Sequence, residues 1–279
     1  MMTARSGYDV YGNTDRLNAS VLEVIVVRLE ARGEHPRFQQ MLQEYLDAMQ
    51  LDGDLTVLDV GCGTGVATRA ILSRSGFRGH VTGIDLSDYL IGVAQRLSSE
   101  AGHGARVEFR EGDTRSLALP NDHFDAVVAH TVLSHVDAPL KSIQEMARVV
   151  KPGGMIGIFD GDYASLTFSH PEPEEGKRYD ELIHNGIITQ ARVMRQMPLL
   201  LKRVGLQLEH SFFYVLAEAG RAEFWLPALE SFRKLLPAAG VLTAEEADMW
   251  VDARLQEAEE GVFFASSNYC SYIARKPLA

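Results

Sequence analysis

The chain has 279 residues, 46% of them hydrophobic, and a formal net charge of −11. That length and apolar content suit one domain, or a domain with a cap, built on a sizeable core. The acidic balance, a pI of about 5.3 and the lack of a Lys/Arg cluster argue against a nucleic-acid partner, and the most apolar early stretch, Val21–Leu29, is broken by Glu23 and Arg28 and far too short to span a membrane.

In chain order, residues 1–14 are polar and read as flexible. Helical patterns follow over Arg16–Arg32 and Pro36–Met49. From about Asp54 to Asp160 strand and helix patterns alternate, which implies a parallel sheet with right-handed crossovers. Residues 161–178 read as irregular, and two more helical patterns cover Arg178–Gly186 and Thr189–Val204. Leu206–Leu216 reads as a sixth strand and Val262–Arg275 as a seventh, with helical patterns at Arg221–Leu236 and Thr243–Glu260 between them. The division expected is an N-terminal helical segment or lid (1–52), an α/β core (53–216, continuing in 262–279) and a helical cap (217–261). No basic segment followed by an apolar run opens the chain, and Cys62 and Cys270 lie in unrelated elements. A reducing, cytoplasmic setting without a disulfide is the expectation.

The most informative segment is Val57-Leu-Asp-Val-Gly-Cys-Gly-Thr-Gly65, followed by the acid Asp85 in Gly-Ile-Asp-Leu-Ser. It reads as a strand, a glycine turn and a helix from Val66 to Leu72, then a second strand ending at the acid. Glycines let backbone approach a ligand closely, and an acid at the end of the second strand accepts hydrogen bonds from ribose hydroxyls. The spacing of Gly61, Gly63 and Gly65 departs from the dinucleotide fingerprint, and no Lys-Ser or Lys-Thr follows as in a phosphate loop. Asp59, just before the first glycine, suits a cationic group better than a pyrophosphate.

This pattern resembles the S-adenosylmethionine site of class I methyltransferases, and later segments extend the likeness. Glu111-Gly-Asp-Thr114 follows a third strand, Phe124–Ala129 looks like the fourth, and Arg148-Val-Val-Lys-Pro-Gly-Gly154 looks like the turn before the fifth. Residues 55–161 carry these motifs, most like the quinone-type and natural-product small-molecule methyltransferases. The resemblance implies a seven-stranded Rossmann-like α/β sheet with S-adenosylmethionine as cofactor. It implies cofactor contacts from Tyr11, Asp59, Gly61, Cys62, Gly63, Gly65, Asp85, Leu86, Asp113, Thr114 and His130. Tyr8 and Tyr11 are candidates to close over the site, as N-terminal segments do in similar enzymes.

The expected reaction is methyl transfer to a small aromatic or unsaturated molecule, such as a quinol, phenol or indole, at carbon, oxygen or nitrogen. Methyl transfer to RNA or protein, or cofactor binding without transfer, are the alternatives. His135 is the first candidate base, with Asp162 or Tyr163 as substrate partner. The strand-four position is His130 and not an acid, so no metal is expected. The sixth strand, running parallel to the first five, should deliver the 217–261 insertion over the ligand edge. Trp225, Phe264 and Tyr272 are therefore expected to line a substrate pocket. A homodimer is left open.

Overall fold

The computed structural model describes residues 8–278. The helices are α1 (Ala19–Glu34), α2 (Pro36–Ala48), α3 (Val66–Leu72), α4 (Asp88–Glu100), α5 (Pro139–Val149), α6 (Pro173–Ile187), α7 (Val193–Val204), α8 (Leu226–Ala238) and α9 (Ala244–Glu259). The strands are β1 (Thr56–Val60), β2 (His80–Asp85), β3 (Val107–Glu111), β4 (Phe124–His130), β5 (Val150–Phe168), β6 (Gln207–Gly220) and β7 (Phe263–Arg275). They form one seven-stranded sheet in the order β3-β2-β1-β4-β5-β7-β6. Strands β1 to β5 pair in parallel, while β7 runs antiparallel to both β5 and β6. The order reverses between β1 and β4, so the loops after these strands part there and leave a crevice at their C-terminal ends.

The central strands are apolar because helices cover both faces. On β5 the even-numbered residues Ile156 and Ile158 pack with Val193, Met194 and Met197 of α7, whereas Phe159 packs with Phe38 and Tyr45 of α2 on the other face. Helix ends follow local chemistry: the side chain of Asn18 caps α1, that of Ser87 caps α4, and Thr243 with Glu246 forms a capping box on α9.

Of the features that differ from the sequence expectation, two concern the far end of the sheet and the insertion. Residues 161–168 are strand, because β7 is long enough to keep pairing with β5 out to Phe168↔Ala265 beyond an irregularity after Asp162. The insertion between β6 and β7 does form two helices, α8 and α9, but α8 packs on α1 and α6. Trp225, Trp250 and Phe232 close around Phe168 at the extended end of β5. The insertion thus braces α1 from outside. Among the described residues, no helix is long and apolar enough to cross a membrane.

Candidate active site

A cavity of about 330 Å³ opens at the crevice between β1 and β4. Its floor is the turn after β1. Gly61 and Gly63 have φ of 66° and 53°, which side-chain-bearing residues rarely adopt. A Cβ on Gly61 would also lie 2.6 Å from the Val132 methyls, so the turn can approach the loop after β4 only as glycine. Gly65 caps α3 with φ 81° and lies outside the cavity lining.

Two buried acids flank this turn. Asp85 accepts from Gly63 N at 2.8 Å through Oδ2 and from Ser87 N at 3.0 Å through Oδ1, tying the ends of β1 and β2 together. Burial raises its pKa, against the pull of those backbone donors. Asp59 is fully buried, accepts from Thr68 Oγ1 at 2.6 Å through Oδ2, and has no partner for Oδ1. Burial raises its pKa to about 7. An unpartnered carboxylate oxygen next to bare backbone suits a bound ammonium, and an acid at the end of β2 suits a diol. The residues present therefore fit S-adenosylmethionine.

Cys62, Leu86, Asp113 and Thr114 line the same cavity. The Cys62 thiol is pushed well up by burial, which makes it inert. Asp113 is held by Arg115, whose Nη2 donates at 2.6 Å and whose backbone N donates at 2.8 Å. Thr114 Oγ1 bonds Ser142 Oγ at 2.8 Å, anchoring the β3 loop on α5.

His130 ends β4 with its ring stacked on Phe159 at 4.8 Å and its Nδ1 bonded to Tyr45 OH at 3.1 Å. Burial, with Arg32 adding, drives its pKa down to about 3, so it is a neutral wall of the cavity. The next residue, Thr131, has φ 57°, an uncommon value for a β-branched residue. It is held by Phe159 O at 2.6 Å and by Arg32 Nη2, which donates to its Oγ1 at 2.7 Å.

His135 lines the cavity and is paired through Nδ1 with both oxygens of Asp9 at 3.1 Å. Burial alone would lower its pKa, but the Asp9 carboxylate outweighs burial and raises it. Asp9 in turn accepts from the backbone N of Tyr11, Gly12 and Thr189 and from Thr189 Oγ1. This hub folds the Tyr11–Arg16 turn over the cavity, with the Tyr11 ring 5.0 Å from His135. With α1 residues Ile25, Leu29 and Arg32 it forms the roof. Asp9, Thr131 and Arg32 were not among the residues expected from sequence; they carry no motif, and Asp9 lies in a segment read as flexible.

Several expected residues are elsewhere. Asp162 is clamped by Arg195, with Nε and Nη2 each donating at 2.8 Å, and faces α7, away from the cavity. Tyr163 stands 6.0 Å from His135, ring to ring, but does not line this cavity. Trp225 is 3% exposed in the packing around Phe168. Tyr272 is buried on the α7 face and donates its hydroxyl to Met194 O at 2.9 Å. Phe264 is 40% exposed at the start of β7. Tyr8 is exposed and its backbone N donates to Ala239 O at 2.9 Å. None of these four substrate candidates, and no residue of α8 or α9, lines the cavity.

Comparison with known proteins agrees with this architecture. A family described as a methyltransferase domain matches residues 58–158. A sterol 24-C-methyltransferase of Gibberella zeae is 26% identical over 196 residues, 70% of this chain and 51% of that protein. A ubiquinone biosynthesis O-methyltransferase of Leptothrix cholodnii is 39% identical over 108 residues, 38% of this chain and 44% of that protein. The chain thus spans about half the length of these relatives. Among solved structures, the cyclase SpnF superposes with a TM-score of 0.63 at 18% identity, covering 99% of this chain and all of that one, which speaks to the fold.

Proposed function

We propose that the chain is a class I S-adenosylmethionine-dependent methyltransferase and that it transfers a methyl group to a small aromatic or unsaturated acceptor at carbon, oxygen or nitrogen. The observation that carries this reading is the convergence of the glycine turn, the unpartnered Oδ1 of Asp59 and the buried Asp85 on one cavity roofed by the Tyr11–Arg16 turn and α1. Bound S-adenosylmethionine supplies a methyl already activated by its positive sulfur. The protein's share of the work is then to hold cofactor and acceptor in line and keep water out. Asp59 and Asp85 grip the polar ends of the cofactor, Asp113 lies along the β3 wall, and neutral His130 and the Gly61–Val132 contact shape the cavity between them. Asp9 orients His135, leaving Nε2 as the ring nitrogen available to take a proton from an acceptor O–H, N–H or ring carbon. The relatives named for quinone and sterol substrates favour a small, greasy acceptor over RNA or a protein side chain.

The test is formation of S-adenosylhomocysteine and of an extractable methylated product when the full chain is incubated with methyl-labelled cofactor and metabolite extract from its host. Label in the organic phase is the expected result. Tight cofactor binding with no S-adenosylhomocysteine formed would point to a binding protein, and label in RNA or protein would move the acceptor class. With an acceptor in hand, His135→Ala should lose about 10²–10⁴ in kcat if His135 is the base. Because its pKa is raised, activity should fall as pH drops through a value above the ordinary 6.5.

A further inference from the structure

Helix α1 carries two arginines one turn apart: Arg32, which lines the cavity, and Arg28, which lies behind that lining. Arg32 bonds Thr131 and lies 5.0 Å over the Phe38 ring. Arg28 sits deeper. It is 8% exposed, lies 5.3 Å from the Phe224 ring, and its Nη1 has no hydrogen-bond partner. Among the described residues neither guanidinium is paired with a carboxylate. The groups acting on Arg28 are Arg32, a like charge, and the phenols of Tyr11, Tyr269 and Tyr163. A guanidinium cannot shed its proton to escape burial as a lysine does. A buried cation without a counter-charge, with a second, half-buried cation one turn away, is a costly arrangement in a folded chain, and a bound anion would relieve it.

The surrounding phenols fit the same purpose. The hydroxyls of Tyr11, Tyr163 and Tyr269 have no hydrogen-bond partner among the described residues. Burial pushes all three upward in pKa, so they are neutral donors. Tyr11 and Tyr163 flank His135 at 5.0 and 6.0 Å, and Tyr269 stacks on Phe159 at 5.7 Å. Tyr11 and Tyr163 thus stand beside the Asp9–His135 pair, and all three phenols lie within electrostatic reach of Arg28.

We propose that Arg28 and Arg32 seat an anionic oxygen of the methyl acceptor, a carboxylate or an ionised enol or phenol, with the hydroxyls of Tyr11, Tyr163 and Tyr269 as neutral donors around it. The word acceptor rests on the transferase reading; the anion seat does not. A flat acid or phenolate would place its charge toward the arginines and its ring against the part of the cavity wall that Tyr11, Phe38 and His130 supply.

The experiment uses the full chain and two matched pairs of probes: cinnamate against cinnamamide, and para-nitrophenolate against para-nitroaniline. Calorimetry should find at least one anion bound about tenfold tighter than its neutral twin. The first pair answers for a carboxylate and the second for an ionised phenol. Arg28→Met should abolish that preference, keep its affinity for S-adenosylhomocysteine within about twofold, and melt at an unchanged or higher temperature, since an unpartnered buried charge is removed. Arg28→Lys should keep part of the preference. Equal affinity for both members of each pair in the wild type, or a preference that survives Arg28→Met, overturns the proposal. Titration with S-adenosylhomocysteine runs separately, so a failure of the transferase reading shows there while the anion result decides the seat.

Discussion

Asp9 and His135, 126 positions apart in sequence, meet at 3.1 Å and join the N-terminal segment to the loop after β4. The contact is both a latch and a tuner. It holds the Tyr11–Arg16 turn across the cavity, and it occupies Nδ1 of the imidazole, leaving Nε2 without that partner.

The pair should leave a signature in stability against pH. Burial works against the charge on both groups, and their mutual attraction outweighs it. The folded pKa of His135 is raised above the ordinary 6.5, so its contribution is full below 6.5 and fades as pH rises through the folded value. That of Asp9 is depressed below the ordinary 3.8, so its contribution is full above 3.8 and fades as pH falls through the folded value. The wild type should therefore exceed Asp9→Asn most between those two ordinary values, by roughly 1.5–3 kcal/mol, the range for hydrogen bonds to charged groups. Thermal melting from about pH 4 to about pH 9 reads this. A difference that stays flat across the range would mean the pair is not charged in the folded protein.

Much of this was legible beforehand, and the gaps have a common cause. Strand, turn and helix around Gly61–Gly65 follow from local chemistry, so Asp59 and Asp85 could be placed from spacing alone. Asp9 could not, because its partners His135 and Thr189 are brought to it only by the tertiary fold. Tyr272 and Asp162 failed for a related reason. On a strand, residues alternate between faces. Tyr269 packs on the side of Phe38 and Phe159, so Tyr272, three residues on, points to the α7 side. The period was readable, but which face carried the cavity was not. Trp225 was misjudged because an aromatic at a helix start serves a core as readily as a pocket, and here the long β5–β7 pairing supplies Phe168 for it to cover.

Gly61 offers a steric test. A Cβ there meets the Val132 methyls at 2.6 Å, and φ of 66° strains any side-chain-bearing residue. Gly61→Ala should cost about 1–3 kcal/mol of stability from overpacking and lose cofactor affinity as the turn shifts. Adding Val132→Ala should recover the overpacking part and leave the backbone part. A double-mutant cycle with no coupling between these sites would mean that the turn accommodates the methyl without meeting Val132.

Asp85 should prove more than a ribose ligand. Since it also holds Gly63 N and Ser87 N, Asp85→Ala removes a ligand contact and loosens the turn that forms the floor. Affinity for S-adenosylhomocysteine should fall by roughly 1.5–3 kcal/mol while the melting temperature drops only modestly. Calorimetry finding unchanged affinity would remove Asp85 from the cofactor site, and NADH binding in its place would remove the family reading with it.

Asp59 carries the most specific prediction. Its carboxyl is buried, keeps one oxygen unpartnered, and titrates near 7 because burial disfavours the charged form. Near neutral pH a sizeable fraction is therefore protonated before anything binds. A cation brought to the free oxygen favours the carboxylate, so binding the ammonium of S-adenosylmethionine or S-adenosylhomocysteine should expel a proton to the buffer. Titration at about pH 7 in two buffers of different ionisation enthalpy measures that proton directly, and about half a proton per cofactor is expected for a group titrating there. Asp59→Asn should abolish most of the release, because an amide has no proton to lose over this range. Asp85 is also raised by burial and would contribute any remainder, which Asp85→Asn isolates. Equal heats in the two buffers for the wild type would show that the cation does not reach Asp59, and the ammonium would have to be held by backbone carbonyls of the glycine turn instead.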